Sequence, residues 1–159
     1  MQPDPTPVTN KLENEPTHHV PRLGVLTGLR ILLAEDSEDV QGLLRYYLHA
    51  AEAHVECANN GIEAVAQIAR ATVPFDFVFM DMQMPLLDGY AATKQLRAAG
   101  YRGVIVALTA HAMVGERERC IEAGCTDYLA KPPSRDEVVA KVLAHATARP
   151  GASPGVGSR

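Results

Sequence analysis

Arg30-Ile31-Leu32-Leu33-Ala34-Glu35-Asp36 is a short apolar run that breaks at once into two acids. The pattern recurs. Phe75-Asp76-Phe77-Val78-Phe79-Met80 ends at Asp81, Val104-Ile105-Val106-Ala107-Leu108 ends at Thr109, and Asp127-Tyr128-Leu129-Ala130 ends at Lys131. The first three runs, nearly continuous in apolar residues, read as strands buried on both faces of a parallel sheet, and Asp127–Ala130 reads as a further short strand. The C-terminal ends of such strands share one edge, where open α/β sheets place ligands. Glu35, Asp36, Asp81, Thr109 and Lys131 are therefore expected to meet in one cleft. Three carboxylates, a hydroxyl and an ammonium suit a divalent cation and a phosphoryl group.

Helical patterns fill the intervals. Val40, Leu43, Leu44, Tyr47 and Leu48 fall on one helix face, with Ser37 as a candidate N-cap. Asn60 and Glu63 form a capping-box signal ahead of Ile62, Val65 and Ile68, and Ser134 with Glu137 form another ahead of Val138, Val139 and Val142. Asp88 is placed to cap a helix over Tyr90–Ala99 that stops at Gly100. A fourth helix is expected over Val114–Ala123, ending at Gly124. The second strand, about His54–Cys57, alternates more than the others, as an edge strand does. The expected architecture is α/β: a doubly wound five-stranded parallel sheet, flavodoxin-like, with strand order 2-1-3-4-5.

The chain has 159 residues, which suits one domain with tails. The expected division is a flexible leader over 1–27, a folded domain over 28–148 and a flexible tail over 149–159, both tails being rich in Pro and polar residues. The chain opens with Met and a polar leader of its own, and only a short tail is seen after the domain. A net charge of −4 and a pI near 5.8 give no basic footprint for nucleic acid. No apolar stretch is long enough to span a bilayer, and no secretory signal is visible, so a cytoplasmic location is expected. Cys57, Cys120 and Cys125 lack metal or redox spacing and read as idle thiols; His18-His19 has no further ligands near it and reads as solvated tail.

Within the cleft, Asp81 suits a nucleophile toward a phosphoryl donor. The commoner fate of an Asp after a strand is a cap or turn, but Asp88 already fits that role. Acids this close repel, and Mg2+ resolves the conflict with hard oxygen ligands while neutralising charge on a transferring group. Lys131 offers a point charge to a phosphoryl oxygen, and Pro132-Pro133 directly after it raises the question of a cis bond. Thr109 offers a hydroxyl. Tyr128 has the apolar body and polar tip that suit two rotamers. Glu116-Arg117-Glu118-Arg119 reads as a solvated charge run.

These residues resemble the receiver domain of two-component response regulators over about Arg30–Ala146. Ile31-Leu32-Leu33-Ala34-Glu35-Asp36 is similar to its first acidic strand end. Met80-Asp81-Met82-Gln83-Met84-Pro85-Leu86-Leu87-Asp88-Gly89 is similar to its phosphoacceptor loop, and Ala107-Leu108-Thr109-Ala110 and Asp127-Tyr128-Leu129-Ala130-Lys131-Pro132 to its switch and lysine segments. The resemblance implies that Asp81 is phosphorylated, that Asp36 binds Mg2+ directly and Glu35 through water, and that the Gln83 backbone carbonyl completes the protein ligands. Thr109 and Lys131 would hold the phosphoryl group, Tyr128 would turn inward when Thr109 moves, and Gln83 and His111 would tune the lifetime of the phosphoryl group. The donor would be a histidine kinase or histidine phosphotransfer protein, and output would pass to a protein partner through the face of the fourth helix, fifth strand and fifth helix. The loop wording, and the lead-in Leu26-Thr27-Gly28-Leu29-Arg30, resemble receivers of hybrid kinases.

The alternative is an aspartate-nucleophile phosphohydrolase. Those enzymes carry a second acid two residues after the nucleophile, where this chain has Gln83, which supplies no proton. A flavin-binding relative fits less well, because Asp36-Ser37-Glu38-Asp39 would repel a flavin phosphate. No Walker motif, helix-turn-helix or kinase ATP site is seen.

Overall fold

The computed structural model describes residues 24–111 and 113–146. Each apolar run becomes a strand and each periodic segment a helix. The strands are β1 (Arg30–Ala34), β2 (His54–Ala58), β3 (Phe77–Asp81), β4 (Val104–Thr109) and β5 (Asp127–Ala130). The helices are α1 (Glu38–Ala50), α2 (Gly61–Arg70), α3 (Gly89–Ala98), α4 (Glu116–Ala123) and α5 (Arg135–Ala146). All pairings are parallel and the order is β2-β1-β3-β4-β5, the doubly wound, flavodoxin-like arrangement expected from the sequence.

The two-residue period of a strand divides the core. Leu32, Ala34, Val78, Met80, Ile105 and Ala107 point to one face and meet Ala64, Ala92, Leu96 and Cys120 from α2, α3 and α4. Ile31, Leu33, Phe77, Phe79, Val106 and Leu108 point to the other and meet Leu44, Leu48, Val138 and Val142 from α1 and α5. The central strands β1, β3 and β4 are buried on both faces, whereas edge strand β2 is partly exposed.

Caps set the helix starts. Asn60 accepts the Glu63 N–H at 2.9 Å and Asp88 accepts the Ala91 N–H at 2.8 Å. Ser134 and Glu137 form a reciprocal capping box. Ser37 caps α1 with a longer bond of 3.5 Å to Val40 N–H.

Among the boundaries that differ from expectation by more than one residue are the leader's end and the start of α4. The leader read as running to residue 27 ends sooner, because Leu26 is fully buried against the α1/α5 side and its N–H donates to Ala51 O at 3.0 Å. The loop chemistry of Thr27 and Gly28 hid this anchor, which Val25 and Leu29 flank against the same side of the core. Helix α4 starts at Glu116 rather than Val114, since Gly115 has the left-handed φ of 94° and supplies no side-chain cap. His18-His19, the rest of the leader and the 149–159 tail lie outside the described residues.

The β3–α3 loop is packed down by two glycines. Gly61 N–H donates to Leu87 O at 3.1 Å and Gly89 N–H to Met82 O at 3.2 Å. A Cβ at Gly89 would stand 2.2 Å from Asp81 O, a backbone atom with no slack. Gly89→Ala is expected to lower stability by about 2 kcal/mol, measured by thermal unfolding, because the loop must lift off the strand end that carries Asp81.

Candidate functional site

The C-terminal edge gathers the acids as the strand ends predict. Glu35, directly after β1, is fully buried. Its Oε1 accepts the Ser37 N–H at 3.1 Å and its Oε2 accepts from Lys131 Nζ at 2.8 Å. Asp36, one residue on, is exposed. Asp81 ends β3 and is 2% exposed. Its Oδ1 accepts the Gln83 N–H at 3.0 Å. Its Oδ2 is buried and has no hydrogen-bond partner, although Lys131 Nζ stands 3.2 Å away as an ion pair. One oxygen each from Glu35, Asp36 and Asp81 lies within 4.8 Å of the others.

Lys131 follows β5 at the sheet edge, and its side chain reaches past the end of β4 to Asp81 on β3 and to Glu35 just beyond β1. Its N–H donates to Thr109 O at 2.8 Å, which extends the ladder one step past the strand. The Lys131–Pro132 bond is cis. Burial pushes the Asp81 carboxyl up to about 6; the Gln83 N–H and the Lys131 charge pull against this, and the Glu35 charge adds to it. Burial alone would lower the Lys131 pKa, but the hydrogen bond to Glu35 and the Asp81 and Glu35 charges leave it above its ordinary value. Among the described residues, the pocket thus carries more negative charge than the Lys131 ammonium balances.

The remaining candidates are placed differently. Thr109 is buried at the end of β4, and its hydroxyl is engaged by His111 and Glu116. It lies 3.3 Å from both His111 O and Glu116 Oε1, and it accepts the His111 N–H at 3.2 Å. Gln83 is exposed and contributes its N–H to Asp81. Tyr128 is half-buried against the α2–α4 side of the core. The charge run at the start of α4 is solvated only in part. Arg117 and Glu118 are exposed, but the Glu116 side chain is 15% exposed and accepts from the Tyr90 hydroxyl. Sequence reasoning missed Glu116 and Tyr90; the available signal was an acid in the first turn of a helix that has no capping side chain.

The cysteines are free thiols. Cys120 and Cys125 are buried and Cys57 is half-buried. Burial raises all three, Cys125 to about 11, so they stay protonated at neutral pH.

Residues 31–143 match the model of the response regulator receiver domain. The chain belongs to this family. Receivers are the signalling domains of two-component and phosphorelay systems, and related ones occur inside larger proteins. A probable histidine kinase 2 from Oryza sativa subsp. indica is 38% identical over 133 residues, which cover 74% of this chain but 13% of the kinase. The receiver domain of the sensor histidine kinase PA1611 from Pseudomonas aeruginosa PAO1 was crystallised with a magnesium ion coordinated in its active-site cleft. It is 39% identical at a TM-score of 0.70, covering 76% of this receiver and 99% of that chain. A Saccharomyces cerevisiae co-crystal of the histidine phosphotransfer protein Ypd1 with the receiver domain of Ssk1 aligns at 28% identity and a TM-score of 0.72, covering 77% and 92%. Among the described residues of this receiver, no helix is long and apolar enough to cross a membrane.

Proposed function

We propose that this receiver takes a phosphoryl group onto Asp81 from a phosphohistidine donor and signals the change to a protein partner. The observation that carries the reading is Asp81 Oδ2: a buried carboxylate oxygen without a hydrogen bond, beside a lysine and two further acids. Oδ2 forms the new P–O bond while the P–N bond to the donor imidazole breaks. Lys131 Nζ, 3.2 Å away, is placed to follow a phosphoryl oxygen as negative charge moves onto Asp81. Thr109, at the adjoining strand end, would supply a hydroxyl once it turns from Glu116.

Mg2+ fits the donor set. Asp36 and Asp81 carboxylates and the Gln83 backbone carbonyl would hold it, with Glu35 reached through water. When bound, the ion neutralises the acids and draws charge from the transferring group. The magnesium-bound Pseudomonas relative supports this assignment. In this chain Mg2+ at a hundredfold its Kd should raise unfolding free energy by about 2.7 kcal/mol, read as a higher Tm. An unchanged Tm in Mg2+ would count against the site.

The donor is read as a histidine kinase or phosphotransfer protein, in keeping with the kinase and Ypd1 relatives. Output is assigned to the α4-β5-α5 face, and the working location is cytoplasmic. Acetyl phosphate with Mg2+ tests the core of this reading. The intact mass should rise by one phosphoryl group in the native chain and stay unchanged in Asp81→Asn. Steady turnover of a generic phosphate ester would favour the phosphohydrolase instead.

A further inference from the structure

One carboxylate at the start of α4 ties together three elements. Glu116 Oε1 accepts from the Tyr90 hydroxyl in the first turn of α3. The Thr109 hydroxyl, at the end of β4, lies 3.3 Å from the same oxygen. Glu116 Oε2 meets the Arg119 guanidinium at 3.4 Å, and that guanidinium lies 4.6 Å from the centroid of the Tyr90 ring. Burial, then the bond to Glu116, holds the Tyr90 hydroxyl well above its ordinary pKa, so it remains a donor.

A second observation concerns the helix itself. Of the N-caps of α1–α4, Gly115 alone offers no side-chain hydrogen bond. The first turn of α4 is secured instead by what Glu116 reaches on α3 and β4.

Thr109 has one hydroxyl proton. While Glu116 and the His111 carbonyl attract it, it is not available to Asp81. A carboxylate is the stronger of those two acceptors. Any arrangement in which Thr109 turns toward a phosphoryl oxygen has broken its bond to Glu116. We propose that Glu116, braced by Tyr90, is a positioning residue that latches Thr109 and the start of α4 in the unphosphorylated arrangement, and so limits how readily Asp81 is phosphorylated. This rests on the phosphoacceptor reading above. The two arrangements form a two-state equilibrium, and the latch biases it toward the unphosphorylated one.

The full chain tests the latch through Glu116→Gln and Tyr90→Phe, each alone and in a Thr109→Val background. Glu116→Gln keeps the size and an acceptor oxygen but removes the charge. With acetyl phosphate and Mg2+, Glu116→Gln should raise the initial phosphorylation rate at least about fivefold. Tyr90→Phe should move it the same way by less. In the Thr109→Val background Glu116→Gln should change the rate little, since the latch acts through that hydroxyl. Before any phosphodonor is added, three-bond couplings at Thr109 should shift from one χ1 rotamer to a mixture in Glu116→Gln. An unchanged or slower rate, an equal effect in both backgrounds, or an unchanged Thr109 rotamer would overturn the latch. A native chain that gains no phosphoryl mass, or gains it elsewhere than Asp81, would overturn the phosphoacceptor reading itself, and the rotamer measurement would still report on the latch.

Discussion

Asp81→Asn should abolish phosphoryl uptake and at the same time make the metal-free protein more stable at neutral pH. The first effect follows from the phosphoacceptor role proposed for Asp81. The second follows from burial. The Asp81 carboxyl titrates near 6 in the fold against an ordinary value of 3.8, chiefly because its charged form is desolvated. Between about pH 4 and pH 6 the native state therefore binds more protons than the unfolded chain, and stability falls as pH rises through that window. Above it the whole cost is present. Asparagine carries no charge to desolvate, so the variant should lack this loss. In EDTA the two proteins should have similar Tm below about pH 4. At pH 7 the variant should lead by about 1–2 kcal/mol, or about 3–6 °C for a domain of this size. Mg2+ should narrow the gap by stabilising the native protein more. Parallel Tm–pH curves for the two proteins would refute the account.

Lys131→Met should produce the opposite stability change. Glu35 is fully buried and Asp81 nearly so, and among the described residues Lys131 is the cation within 4 Å of both. Methionine keeps the side-chain length and removes the charge, which leaves two neighbouring carboxylates buried without compensation. Breaking a buried pair in this way costs about 3–5 kcal/mol. The cost here belongs near the lower end, since Lys131 is 18% exposed and water screens it in part. The Asp81 pKa should rise further once the Lys131 charge that lowers it is gone. Saturating Mg2+ should recover much of the lost stability, because the cation takes over part of the lysine's electrostatic role. Urea unfolding with and without Mg2+ measures both parts. A Lys131→Met chain as stable as the native one in EDTA would mean that the acids are better solvated than their burial indicates.

The legibility of this chain is uneven for physical reasons. The apolar runs at Ile31–Ala34, Phe77–Met80 and Ile105–Leu108 announced central strands because residues buried on both faces have no polar option. The acids at positions 35, 36 and 81 were legible because a parallel sheet must align its C-terminal ends. Asp88 and the Ser134–Glu137 box were legible because capping is a contact within one helical turn. Leu26 was not, since a short apolar stretch in a loop has no helix or strand period to reveal it. Glu116 was not, since its neighbours on α4 are solvated and its partners come from other elements.

The sequence by itself determined the order of strands and helices, the sheet to which they belong and the edge at which the acids meet. Those properties follow from hydrophobic spacing and chain connectivity, which are written along the chain. Only the tertiary structure decided where individual polar atoms point: Lys131 reaching past the end of β4 to two acids, Asp81 Oδ2 left without a hydrogen bond, and the Thr109 hydroxyl turned toward Glu116. These directions depend on rotamers fixed by contacts between residues far apart in the chain, and no local pattern specifies them.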